Sequence, residues 1–154
     1  MQRLEAEGVV AFLAAMGALP LDLASAAGGA VARIIGPRLA VTRRARRNLD
    51  IALPHLSAAG RRRVIREMWD NLGRTTAEYA HLSRLRCFAP GARVEVVGTE
   101  HIDRAVARGK PLIFFSGHLG NWEVASVAVV QYGVELVQIY RAANNPDVEA
   151  MLLQ

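Results

Sequence analysis

A chain of 154 residues has room for one domain of ordinary size, and a separate second domain is not expected. Hydrophobic residues at 52% and charged residues at 21% exclude a disordered chain, and a single cysteine, Cys87, excludes a disulfide scaffold, a cysteine-built zinc finger and an iron–sulfur cluster. The formal charge of +5 is not a general coat: residues 33–93 set 14 Arg against four acidic residues, net +10, between flanks of −2 and −3.

Residues 8–32 carry one charge, Asp22, in 25 residues. That length could span a bilayer, which takes about 20 apolar residues. Ala and Gly dominate it, however, and Asp22 and Pro20 lie near its middle. An Asp at a helix centre costs roughly 2.5–3.5 kcal/mol on insertion. The stretch therefore predicts a marginal transmembrane or interfacial helix pair, broken near Pro20. A buried Ala-rich hairpin is the alternative. Glu5 and Glu7 lie where a signal peptide carries positive charge, which argues against a cleaved leader.

The basic block follows at once with Arg33, Arg38, Arg43, Arg44, Arg46 and Arg47. By the positive-inside rule this flank faces the cytoplasm, and anionic membrane lipid attracts each such charge by about 1 kcal/mol. A solvated helix face is the plainer reading. A nucleic-acid partner is not expected, because no aromatics interleave with the arginines.

Residues 57–82 give the clearest helix. Ser57 stands at the N-cap position. Ile65, Met68, Trp69, Leu72, Thr76 and Tyr79 recur at three- and four-residue steps and predict the buried stripe. After Pro90-Gly91 the rhythm changes. Residues 94–97, 112–115 and 134–140 read as strands, and residues 100–108, 121–132 and 146–153 as helices. That alternation predicts an α/β fold: a helical, membrane-associated N-terminal region followed by a partial βαβαβ parallel sheet.

The chemistry concentrates in Ser116-Gly117-His118-Leu119-Gly120-Asn121-Trp122-Glu123. Two glycines flank the His118 step, so the backbone can turn sharply or approach a ligand there. Asn121 offers a cap for the next helix. His118 and Glu123 would lie about 140° apart on one helix. They can meet only if His118 is in the loop and Glu123 in the first helical turn. A carboxylate so placed fixes an imidazole tautomer and stabilises the imidazolium. The result is a base–orienter pair without its own nucleophile, suited to activating a substrate hydroxyl. No third ligand for a metal lies nearby, so no metal is expected. Ser116 lacks the Gly-x-Ser-x-Gly elbow of a nucleophile. Cys87 reads as a small buried apolar residue, and His55, His81 and His101 read as structural.

This segment resembles the His-x4-Asp/Glu motif of the lysophospholipid acyltransferase superfamily. More narrowly, Gly117, His118, Gly120, Asn121, Trp122 and Glu123 are similar to the Gly-His-x-Gly-Asn-Trp-Glu of bacterial lipid A biosynthesis late acyltransferases. Arg46-Arg47-Asn48-Leu49 with Ala52-Leu53-Pro54, Asn71-Leu72-Gly73-Arg74-Thr75, Tyr140-Arg141 and Asn145-Pro146 resemble further blocks of that family. The resemblance implies transfer of a fatty acyl chain from acyl-acyl carrier protein to a hydroxyl of a lipid A precursor, in lipopolysaccharide biosynthesis. It implies His118 as general base and Glu123 as its orienting partner. Arg141 is a candidate for substrate phosphate or sugar, with Asn121 and Gly120 as further substrate-binding candidates. No cofactor is implied; the acyl-acyl carrier protein is a co-substrate. The implied place is the cytoplasmic face of the cell inner membrane, with anionic lipid as a partner. Divided accordingly, residues 1–37 are the apolar membrane-associated segment, 38–92 a basic helical region, and 93–154 the N-terminal part of the α/β acyltransferase domain. Family members continue further, and the chain stops inside an apparent helix, so a truncated chain with an incomplete sheet is expected. A glycerolipid acyltransferase of the same superfamily, or a non-catalytic membrane-associated module, is the alternative.

Overall fold

Pro20 divides the apolar N-terminus into two helices. The computed structural model describes residues 2–142 and 144–152. Helix α1 runs Gln2–Gly17, and α2 runs Leu21–Ile35 with Pro20 as its cap residue. Proline disfavours helix in the residue before it and presets its own φ for the start of the next. The halves are 16 and 15 residues long, short of the ~20 that a spanning helix needs. No described helix is long and apolar enough to cross a membrane, so the spanning alternative is corrected.

Two compact units make up the chain: Met1–His81 with Arg141–Gln154, and Leu82–Tyr140. In the first unit, α2 packs against α4, Ala58–Glu78. Ser57 opens α4 as predicted, its Oγ accepting the Gly60 N–H at 3.1 Å. The contact between the two helices is made by small residues. Ala24 and Gly28 on α2 and Gly73 and Ala77 on α4 are buried. A Cβ built on Gly28 would collide with the Gly73 carbonyl, and one on Gly73 with the Gly28 carbonyl. Backbone therefore meets backbone, and dispersion over a close seam replaces bulky side chains. This shifts the buried face of α4 away from the predicted stripe. Ile65 and Trp69 are buried as expected, whereas Met68, Leu72 and Thr76 are exposed.

Polar groups line the flank of the seam. Ser25 Oγ donates to Glu78 Oε1 at 2.6 Å, and Arg74 Nε donates to Asp70 Oδ2 at 2.7 Å. Arg33 approaches Asp70 Oδ1 at 3.1 Å without the alignment of a hydrogen bond, so the attraction there is one of charge. Beyond α2, a 3-10 turn (Gly36–Arg38) leads to α3, Thr42–Ala52. Thr42, 2% exposed, donates its hydroxyl to Gly36 O at 2.7 Å and accepts Trp69 Nε1–H at 3.0 Å. Gly36 is needed there because a Cβ would enter the Trp69 ring. His81 is structural as read from the sequence: it is buried, its Nε2 3.1 Å from Met16 O. The last helix, α7, Pro146–Leu152, packs on α1.

The second unit holds α5, Thr99–Val106, and α6, Glu123–Gln131. Gln131 ties the end of α6 to the preceding loop, donating to Leu85 O at 2.7 Å and accepting Cys87 N–H at 3.0 Å. Tyr132 donates to Asp103 Oδ1 at 2.7 Å and so links α6 to α5.

The α/β expectation is overturned here. The structure is 63% helix, and the described residues contain no strand and no sheet. Residues 94–97, 112–115 and 134–140, read as a partial βαβαβ sheet, take no regular structure. Val97 is 83% exposed, Phe115 92% and Ile139 97%. β-branched and aromatic runs become strands only where a neighbouring backbone completes the ladder. These runs have no such ladder among the described residues.

Candidate active site

The loop from Gly117 to Trp122 owes its shape to its glycines and to one side-chain cap. Leu119 N–H bonds back to Gly117 O at 2.8 Å. No described non-glycine residue has positive φ, so this is an inverse γ-turn with His118 at its apex. Gly120 then adopts φ +56°, a left-handed step that suits glycine. Asn121 Oδ1 accepts the Glu123 N–H at 3.2 Å and so satisfies the first turn of α6. Glu123 is the first residue of that helix, where its charge also suits the helix dipole. The required condition is therefore met: His118 lies in the loop and Glu123 in the first turn.

Trp122 touches both. Its Nε1–H donates to Glu123 Oε1 at 2.8 Å. Its ring lies edge-on to the His118 imidazole, with centroids 4.7 Å apart and planes at 76°. The His118 side chain is exposed. Composition and spacing singled out the histidine and the carboxylate and missed the aromatic between them. An indole N–H directly beside a carboxylate in sequence was the available signal.

Comparison with known proteins gives the family of the chain. A family model described as bacterial lipid A biosynthesis acyltransferase matches residues 7–154. The chain belongs to that family. No curated protein and no solved structure matches it. The expected resemblance is thus the family itself, and the chain is an acyltransferase of it.

The remaining site candidates of this lipid A acyltransferase divide between the units. Gly120 and Asn121 shape the His118 turn. Arg141 belongs to the other unit, where it is exposed and donates to Asn144 Oδ1 at 3.3 Å. Among the described residues, no three His, Cys, Asp or Glu side chains gather as a metal site. Cys87 is buried, and burial pushes its thiol pKa up.

Proposed function

We propose that the chain carries the acyl-transfer centre for moving a fatty acyl group from acyl-acyl carrier protein to a hydroxyl of a lipid A precursor. The observation that carries this reading is His118 at the exposed apex of a tight turn, with Glu123 opening the helix that follows. His118 takes the proton of the acceptor hydroxyl. The oxygen attacks the thioester carbonyl, a C–O bond forms, and the C–S bond breaks. The leaving thiolate recovers the proton from the imidazolium, so no acyl-enzyme is needed. Glu123 stabilises the imidazolium while it is charged. Arg141, Asn121 and Gly120 are proposed to contact the substrate, Arg141 through its phosphate or sugar.

The basic face of α3 supports both the acidic carrier protein and anionic lipid as partners. Arg43, Arg44, Arg46 and Arg47 are all exposed there. We place the protein on the cytoplasmic face of the inner membrane by the same charges, lying on the bilayer.

The test is acyl transfer from a labelled acyl-acyl carrier protein to a lipid A precursor, with His118→Ala beside the unaltered chain. Removing a general base should lower the rate about 10²–10⁴-fold. Full transfer by His118→Ala would reject the mechanism. Transfer to a glycerolipid instead of the lipid A precursor would favour the glycerolipid alternative.

A further inference from the structure

We propose that Trp122 is a positioning residue for the catalytic pair, holding Glu123 through its indole N–H while bracing the imidazole of His118 with its ring. This rests on the proposed roles of His118 and Glu123.

Two independent contacts point to it. The indole nitrogen is a donor only, and its partner at 2.8 Å is a carboxylate oxygen, the pairing that fixes a carboxylate in one rotamer. On its other side, the imidazole stands in the edge-on arrangement that aromatic pairs favour. At a centroid separation of 4.7 Å the indole braces the imidazole by direct ring contact. Opening α6 explains neither contact, because Asn121 supplies the cap and the Trp122 side chain makes no cap hydrogen bond.

The test uses the whole chain with two substitutions and two readouts. Trp122→Phe keeps a ring beside His118 but removes the donor; Trp122→Leu removes both. With helicity unchanged by circular dichroism, Trp122→Phe should lower kcat about tenfold and leave KM unchanged, the loss of one charge-assisted hydrogen bond. Trp122→Leu should lower kcat further. Both variants remaining within about twofold of the unaltered kcat would overturn the proposal.

The second readout needs no turnover. An imidazolium quenches an indole that it touches. The Trp122 emission, taken as the difference between the unaltered chain and Trp122→Phe, should fall in a step on acidification. The step should vanish in His118→Gln. A step that is absent, or that survives His118→Gln, would refute the contact. If His118→Ala transfers at full rate while the fluorescence step is present, the proposed chemistry fails and the contact stands.

Discussion

One hydroxyl serves two buried groups at Thr42. It accepts the Trp69 indole N–H and donates to the Gly36 carbonyl, joining α3, α4 and the 3-10 turn. Thr42→Val keeps the shape and leaves both partners unpaired. Each buried group so stranded costs about 1–3 kcal/mol. The thermal midpoint should fall clearly in Thr42→Val and much less in Thr42→Ser, which retains the hydroxyl. Equal midpoints for the two variants would contradict this assignment. Residues of this kind were poorly legible in the sequence. Hydrophobicity selected Met68 and Leu72 as buried and passed over Gly73 and Ala77, because a scale of side-chain burial cannot register an advantage that consists of having no side chain. Trp122 was legible as part of the motif but was given no role of its own, although its donor stands directly beside Glu123 in the sequence. His118 and Glu123 were legible because flanking glycines and a capping Asn announce a loop entering a helix.

Helix α2 is apolar well beyond the face that packs on α4. Its inner face of Ala24, Gly28 and Ala32 meets α4, while Leu23, Val31 and Ile34 on the outer face are each more than half exposed. The basic face of α3 follows within a few residues. Vesicles separate the two contributions. Arg43, Arg44, Arg46 and Arg47 replaced by Gln should weaken binding to phosphatidylglycerol vesicles by about 1 kcal/mol per charge, with little effect on phosphatidylcholine. Leu23→Ser with Ile34→Ser should weaken binding to both. Unchanged binding in either set would remove that face from the membrane contact. Helices were the legible elements: Ser57, Pro20 and the Pro146 start all stand where the sequence placed them. Strands were not, because a helix closes its own hydrogen bonds and a strand depends on distant residues.

The two units differ in what protects their backbones. In the first, α2 and α4 bury Ala24, Ile65, Trp69 and Ala77. In the second, side-chain clamps tie the end of α6 to α5 and to the loop at Leu85, and long stretches between the helices have no regular structure. Hydrogen exchange should follow this division. Amides of α2 and α4 should be the slowest, and those of 112–117 and 135–139 close to unprotected rates. Protection of 112–115 equal to that of α4 would contradict the described fold. The glycine seam between α2 and α4 also has a thermal consequence. The heat-capacity change on unfolding grows with the apolar area newly wetted. Helices that part along Gly and Ala wet little carbon. The stability of this seam is therefore a shallow function of temperature, changing little between cold and warm, where a core of large aliphatic side chains would give a steep dome.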